Sequence, residues 1–177
     1  MKLKRIELPL TEETALQLKA GDEVLLSGWI YTARDAAHKR MIEEVHQGKD
    51  FPFNLQNQVI YYAGPAPTPP GKVIGSIGPT TSSRMDRFTP FLLSHGLRGM
   101  IGKGIRSKEV MQAIIEYKAI YFAALGGAAA LQAQSVEKVE IVAYEELASE
   151  AIRRLFVKDM AVYVAVDCFG ASIYSGE

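Results

Sequence analysis

Two short segments of the sequence combine hydroxyl groups, cations and glycines in a way that suits a small anion. The first, GPTTSSRMD at 78–86, has spacing between Ser83 and Asp86 that fits a capping box. This spacing predicts that Arg84 lies in the first turn of a helix, where unpaired N–H groups and the helix dipole favour negative charge. The planar guanidinium of Arg84 matches a carboxylate. The second segment, GKG, places Lys103 between glycines that let the backbone approach a ligand.

We expect an anion held between these segments to contact Arg84, Lys103, a helix terminus and the hydroxyl groups of Thr80, Thr81, Ser82 and Ser83. A second interpretation is a well-capped helix flanked by solvated cations. A nucleotide phosphate fits less well, because GKG is not the P-loop pattern and no GxGxxG sequence opens a helix here.

The elements around the two segments decide whether the segments meet. Apolar runs predict strands, and helix formers bounded by Ser or Gly predict helices. The predicted order is strand 73–77, helix 84–94, strand 97–101, helix 107–118 and strand 119–125. Connections of this length imply parallel strands with right-handed crossovers, and loops that follow parallel strands open at one edge of the sheet. The sequence therefore predicts an α/β fold with a parallel βαβαβ core in which the two segments converge.

The remaining sequence surrounds this core. Its patterns predict strands over 23–32, 58–62, 136–142 and 161–167, and helices over 35–47 and 144–155. The proline-rich run at 64–71 predicts an ordered loop or a flexible connector, because Pro lacks a backbone donor and fixes φ. Ala and Gly at 126–130 favour a close-packed helix start over a cofactor loop. Nothing after the proline-rich run resembles a new domain, so we expect one domain over 1–177.

Charge is balanced overall but unevenly distributed. The 177 residues are 48% hydrophobic and 23% charged with a formal net charge of zero, which argues against a broad nucleic-acid or anionic-membrane surface. Residues 72–108 nevertheless carry seven cations against Asp86 alone, namely Lys72, Arg84, Arg87, Arg98, Lys103, Arg106 and Lys108. These cations either form a local anion site or pair across the fold with the acidic C-terminal third.

Cysteine and histidine usage limits the cofactors and the compartment. Cys168 is the only cysteine, so this chain can form no intramolecular disulfide and cannot hold an iron–sulfur cluster or a cysteine-rich zinc site. His38 and His46 are eight positions apart on one predicted helix, about 12 Å, so one metal ion cannot bridge them unaided. We expect structural or surface roles for these two and for His95. The longest apolar stretch is too short to span a bilayer and the N-terminus lacks a signal-peptide run, so we expect a cytoplasmic protein.

Four separated motifs give the sequence a family resemblance. TARDAAH at 32–38, VIYYAGPAP at 59–67, GSIGPTTSSRMD at 75–86 and IGKG at 101–104 occur in this order. Together they resemble the β subunit, or β region, of the iron–sulfur-dependent class I fumarate hydratase and tartrate dehydratase family. The resemblance implies a swivelling β/β/α domain that pairs with an α subunit carrying the cysteines of a [4Fe–4S] cluster. A chain with one cysteine fits the β half of such an enzyme.

The same resemblance implies roles for individual residues. Arg34, Arg84 and Lys103 match the residues that bind the dicarboxylate, and Thr80 matches the residue proposed to move a proton on carbon. Thr81 is adjacent and is the alternative to Thr80. Physical chemistry favours the binding roles over the basic one, because a threonine hydroxyl is a weak base unless a neighbour activates it.

We therefore expect the β subunit of a heteromeric hydro-lyase that hydrates fumarate reversibly to malate. A tartrate dehydratase β subunit and a non-catalytic small-anion-binding module are the alternatives.

Overall fold

Seven strands form one mixed sheet in this computed structural model, which describes residues 3–124 and 129–174. The strands are β1 (Leu3–Glu7), β2 (Glu23–Thr32), β3 (Val59–Tyr61), β4 (Gly99–Gly102), β5 (Ile120–Ala124), β6 (Val136–Ala143) and β7 (Ile152–Val166). The α-helices are α1 (Glu12–Leu16), α2 (Asp35–His46), α3 (Thr89–Ser94), α4 (Lys108–Tyr117) and α5 (Ala129–Gln134). Two 3₁₀ helices span Ser82–Met85 and Glu145–Glu150.

The long strand β7 closes part of the sheet into a ring. Strands β1 to β5 are mutually parallel in sequence order, and β7 is antiparallel to β5, β2 and β6. Residues 162–166 of β7 pair with β5, and residues 153–163 pair with β2. The ring therefore consists of β2, β3, β4, β5 and β7, with β1 and β6 paired outside it.

Alternation of side chains along the ring strands separates two buried clusters. Tyr61 and Phe122 belong to a cluster to which all five ring strands contribute. Their neighbours Tyr62 and Tyr121 belong to a second cluster, together with residues of α2, α3 and α4. The second cluster lies between the sheet and these helices. Tyr121, a member of this cluster, contacts the candidate site.

Much of the predicted order is confirmed. β2 has the predicted bounds, and α2 ends one residue before its predicted end. β4 and β5 are parallel neighbours, and α4 connects them. Ser107 caps α4, because its hydroxyl oxygen accepts a hydrogen bond from the Val110 N–H at 3.2 Å. The fold is thus α/β, with a sheet that mixes parallel and antiparallel strands.

The predicted strand at 73–77 is wrong. This stretch is irregular, and β3 takes the place beside β4. The chain at 73–77 packs instead against the proline-rich run: the Ala66 N–H donates to the Ser76 carbonyl at 2.9 Å. A Cβ at Gly75 would collide with the carbonyl of Ala66, so a glycine is needed at this close approach. The proline-rich run is therefore an ordered loop, one of the two predicted alternatives.

Two predicted helices are also wrong in extent. The helix predicted over 84–94 is divided into the 3₁₀ helix Ser82–Met85 and α3, whose first turn contains Pro90. In place of the helix at 144–155 there is a 3₁₀ helix followed by β7, which begins at Ile152 and absorbs the strand predicted at 161–167. Pairing of β7 on both edges explains its length. Residues 125–128, part of the predicted strand end and helix start, lie outside the described residues.

No helix in the described part of the chain is long and apolar enough to cross a membrane.

We expect Gly75→Ala to lower the free energy of unfolding by about 1–3 kcal/mol, because the added methyl group would force the 73–77 stretch away from the proline-rich loop. Urea unfolding of the chain measures this change. Ser76→Ala is the matched control, since the Ser76 side chain is exposed and only its carbonyl bonds to Ala66. Equal unfolding midpoints for Gly75→Ala and the unmodified chain would contradict the expected close packing.

Candidate functional site

The two segments that are predicted to bind an anion meet beyond the ends of β3 and β4. Thr81 and Lys103 form an isolated parallel β-bridge, in which the Ser82 N–H donates to the Lys103 carbonyl at 2.9 Å. The Thr80 N–H donates to the Tyr62 carbonyl at 2.7 Å, just after β3. The predicted convergence of the two segments is therefore confirmed.

A buried tyrosine, Tyr121, forms hydrogen bonds with both segments. The Tyr121 hydroxyl forms hydrogen bonds of 2.7 Å with both the Ser82 side chain and the Gly104 carbonyl. Burial raises the pKa of Tyr121, so the hydroxyl remains protonated at neutral pH. Gly102 permits this close approach, because a Cβ there would collide with the Ser82 side chain.

A third segment, the start of α2, brings Arg34 to the same place. Asp35 Oδ2 lies 2.9 Å from both Nε and Nη2 of Arg84, and this ion pair joins α2 to the first segment. The Arg84 side chain remains half exposed, and Lys103 is exposed. A guanidinium has five N–H donors, so Arg84 keeps donors available for an anion while it is paired with Asp35.

Arg34 occupies the position before α2 without capping the helix with its side chain. A Cβ at Gly64 would lie 3.3 Å from Cδ of Arg34 and would collide with the Ser149 carbonyl, so Gly64 leaves room for the arginine. Within the described residues, Nε of Arg34 and Oδ1 of Asp35 are buried polar atoms that have no hydrogen-bond partner. Nε is a donor that a carboxylate ligand would satisfy, whereas Oδ1 is an acceptor.

Arg106 forms a buried polar centre beneath the two segments. Its Nε donates to Asp86 Oδ1 at 2.7 Å, and Asp86 Oδ2 accepts from the Ser107 N–H at 2.7 Å. Its Nη2 donates to the hydroxyls of Thr89, at 2.9 Å, and Tyr62, at 3.1 Å. The Arg106 side chain is fully shielded from solvent.

This arrangement corrects the predicted capping box. Asp86 does not cap a helix that begins at Ser83: its carboxylate binds Arg106 and the Ser107 N–H. Thr81 precedes the four-residue 3₁₀ helix and makes no side-chain capping bond. Arg84 is therefore in a 3₁₀ turn, and the expected contribution of an α-helix terminus to anion binding is wrong.

The basic run 72–108 does not pair with the acidic C-terminal third among the described residues. The ion pairs formed by its cations there are Arg84 with Asp35 and Arg106 with Asp86. Both pairs lie at the candidate site. The other five cations of the run form no ion pair with the described residues.

His38, one turn into α2, is completely buried. Its Nδ1 lies 2.8 Å from the Arg34 carbonyl oxygen. Burial and the nearby charge of Arg106 lower its pKa from 6.5 to about 4, so the imidazole is neutral at pH 7. The described residues hold no group of His, Cys, Asp and Glu side chains suited to a metal ion.

Sequence reasoning missed Asp35, His38 and Arg106 as parts of the site. Asp35 and His38 stand within the TARDAAH motif, so their proximity to Arg34 was a usable signal. The burial of Arg106 has no local signal, because its partner Asp86 lies twenty positions away.

A cavity of about 470 Å³, lined by His95, Arg98 and Glu116 among others, lies at the opposite end of β4 from Lys103. The candidate site is instead an open surface, because Thr81, Arg84 and Lys103 are all exposed. We assign the site by its converging charged and hydroxyl groups rather than by cavity size.

Comparison with known proteins confirms the family resemblance. The family model described as "Fumarase C-terminus" matches residues 1–176. The chain is 40% identical over 160 residues to the anaerobic class I fumarate hydratase of Escherichia coli K12, covering 89% of this chain and 29% of that protein. It is 38% identical over 161 residues to fumarate hydratase 2 of Leishmania major, covering 90% of this chain and 28% of that protein.

A third relative is close to this chain in length. The protein named putative L(+)-tartrate dehydratase subunit beta of Methanocaldococcus jannaschii is 42% identical over 171 residues, covering 93% of this chain and 88% of that protein. The chain thus spans less than a third of the fumarate hydratases named above and most of the tartrate dehydratase subunit.

We expect the free energy of unfolding to fall by roughly 2 kcal/mol between pH 7 and pH 5, because His38 takes up a proton near pH 6.5 when unfolded but only near pH 4 when folded. The unfolded state binds more protons in this range, so this part of the stability is present above pH 6.5 and is lost as the pH falls. Urea unfolding at several pH values measures the slope.

His38→Phe should flatten this slope, whereas His46→Phe, at an exposed position of the same helix, should leave it unchanged. Charged groups near the ring, Asp35 and Arg106, are retained in both variants. A slope that is the same for His38→Phe and the unmodified chain would show that another group is responsible.

Proposed function

The chain belongs to the Fumarase C-terminus family, and from this premise we propose that it is the β subunit of a hydro-lyase that adds water reversibly to fumarate, giving malate. The observation that carries the proposal is the meeting of Arg84, Lys103 and the start of α2 at one open surface. This surface offers cations and hydroxyls to a small dicarboxylate.

Arg34, Arg84 and Lys103 are proposed to bind the two carboxylates. Arg84 is oriented by Asp35 and presents its remaining N–H donors on an exposed side chain. Lys103 is exposed, and its backbone is fixed by the bridge to Thr81. Removal of a proton from carbon beside a carboxylate increases negative charge on the carboxylate oxygens. Cations fixed in advance stabilise this developing charge.

Thr80 is proposed to move the proton on carbon. Its position is fixed by the hydrogen bond from its N–H to the Tyr62 carbonyl at 2.7 Å. A neutral hydroxyl needs a neighbouring group to make it an effective base, and Lys103 or a residue of the partner subunit could supply this activation. Thr81, in the bridge to Lys103, is the second candidate for the same role.

The cluster chemistry of the family is assigned to a partner. Cys168 is completely buried, and its thiol donates to the Ala15 carbonyl at 3.6 Å, so this chain does not provide the thiolates of a [4Fe–4S] cluster. We propose that an α subunit carries the cluster and completes the site in a hetero-oligomer. The relative from M. jannaschii, which is named as a subunit, supports this division. Pairing with an α subunit and a swivelling-domain arrangement belong to the same proposal.

Tartrate dehydration is the second candidate function. The observation that favours it is the match to the subunit named for L(+)-tartrate dehydratase, of which this chain covers 88%. The two substrates differ in hydroxylation, which a few side chains of either subunit can distinguish. Anaerobic co-expression with an α subunit of this family and assays with fumarate, malate and tartrate test both candidates. Turnover of none of the three by an assembled, cluster-containing complex would contradict the proposed function.

We expect Arg84→Ala and Thr80→Val to change different kinetic constants. Arg84→Ala removes a charge-assisted contact to a carboxylate, so kcat/KM should fall by a factor equivalent to about 1.5–3 kcal/mol, largely through KM. Thr80→Val keeps the shape and deletes the hydroxyl, so kcat should fall with little change in KM. Steady-state kinetics of the assembled complex measure both constants.

Arg87→Ala is the matched charge control, because Arg87 is exposed near Arg84 but lies over the ring of Phe88. It should leave both constants nearly unchanged. Each variant must assemble and retain the cluster for the comparison. Near-normal kcat in assembled Thr80→Val would exclude Thr80 as the base and direct the search to Thr81 and then to the partner.

A further inference from the structure

The two ring nitrogens of His38 have different surroundings. Nδ1 lies 2.8 Å from the carbonyl oxygen of Arg34, and a carbonyl can only accept, so Nδ1 carries the proton. Nε2 is buried and has no hydrogen-bond partner within the described residues. The neutral imidazole is therefore protonated on Nδ1 and has a lone pair on Nε2.

The complete burial of the ring and the nearby charge of Arg106 oppose a second proton. The ring stacks at 5.7 Å from Phe88 and lies 5.5 Å from Tyr62 in an edge arrangement. The Arg106 guanidinium lies on the same tyrosine, 5.2 Å from its ring centre. Aromatic rings and a cation thus surround the imidazole, and the carboxylate of Asp35 on its own helix does not outweigh them.

The contact between His38 and Arg34 fixes the chain where it enters α2. The Arg34 carbonyl accepts two hydrogen bonds from His38, from the backbone N–H at 3.0 Å and from Nδ1 at 2.8 Å. Arg34 has extended backbone angles and no capping bond of its own side chain. The described residues form no ion pair with its guanidinium, so the backbone carbonyl is the polar group of Arg34 that His38 holds.

We propose that His38 is a positioning residue for Arg34: its Nδ1–H holds the Arg34 carbonyl and so aims the guanidinium at a substrate carboxylate. His38 moves no proton in the reaction. The identity of the ligand as a carboxylate rests on the proposed function, whereas the positioning of Arg34 rests on the contacts of His38.

Two substitutions distinguish the effect of the Nδ1–H donor of His38 from the effect of its ring. His38→Phe keeps an aromatic ring and removes the donor. His38→Asn places an amide N–H near the position of Nδ1 and so restores the donor. His46→Phe, on the exposed part of α2, is the control for replacing a histidine on this helix.

Nuclear magnetic resonance of the full chain tests the positioning without turnover. Nitrogen-15 spectra of the unmodified chain at pH 7 should show His38 neutral and protonated on Nδ1. The Nε–H signal of Arg34, assigned with Arg34→Lys, should shift or broaden in His38→Phe and return in His38→Asn. A cationic His38, a proton on Nε2, or an unmoved Arg34 signal in folded His38→Phe would overturn the proposal.

Kinetics of the assembled complex test the consequence for the substrate. His38→Phe should raise KM about tenfold, the factor for loss of one hydrogen bond, with kcat changed less than threefold. His38→Asn should recover most of the difference, and His46→Phe should match the unmodified enzyme. A fall in kcat at constant KM in His38→Phe would overturn the proposal, because it would indicate proton transfer by His38.

The resonance and kinetic measurements together distinguish failure of the proposed function from failure of the positioning role of His38. If the unmodified complex turns over neither fumarate nor tartrate, the proposed function fails, and the resonance measurements still decide whether His38 positions Arg34. The spectrum of the unmodified chain needs no variant, so a cationic His38 or a proton on Nε2 overturns the proposal even where a variant fails to fold.

Discussion

Arg106 holds a positive charge in the protein interior, where its side chain is shielded from solvent and Asp86 is its partner at 2.7 Å. Removal of a charge from water is costly unless a partner and further hydrogen bonds compensate it. Asp86, Thr89 and Tyr62 provide these bonds, and Asp86 also accepts from the Ser107 N–H. The turn after the 3₁₀ helix and the start of α4 are therefore joined through one ion pair. Loss of one partner would leave a buried charge uncompensated, at a cost of about 3–5 kcal/mol.

The groups proposed to bind the substrate lie next to the elements that this ion pair joins. The bridge between Thr81 and Lys103 and the two bonds of the Tyr121 hydroxyl set the relative position of the two segments. Arg84 extends from the first segment to Asp35, so the position of α2 is joined to them. The backbone of the site is thus held by buried contacts, while Arg84 and Lys103 remain exposed. Such an arrangement fixes the backbone that carries the charged groups before a ligand arrives, which favours electrostatic stabilisation of a transition state.

The parts of this structure that could be predicted from the sequence have local signals. β2 follows from its β-branched and aromatic residues, and α4 follows from the Ser107 cap and the apolar spacing of its residues. The two segments converge as predicted but for a different reason, because 73–77 is not a strand. The hydrogen bond from Thr80 to Tyr62, just after β3, and the bridge between Thr81 and Lys103 hold the first segment beside the second. Short apolar runs do not distinguish a strand from an irregular stretch that packs against a loop.

The parts that could not be predicted depend on distant contacts. The spacing of Ser83 and Asp86 fits a cap, but Arg106 competes for the same carboxylate from twenty positions away. The 15-residue length of β7 depends on pairing with β2, β5 and β6, which no local pattern contains. The four motifs nevertheless contain residues that the fold brings together at the candidate site.

We propose that a dicarboxylate binds where the two segments meet the start of α2. A crystal structure of the assembled enzyme with succinate, a dicarboxylate that lacks the double bond, would show the binding site. We expect a succinate carboxylate within hydrogen-bonding distance of the Arg84 guanidinium, with Arg34, Thr80 and Lys103 around the same molecule. Succinate bound at the other end of β4, near Arg98, or held without any contact to Arg84, Arg34 and Lys103, would contradict it.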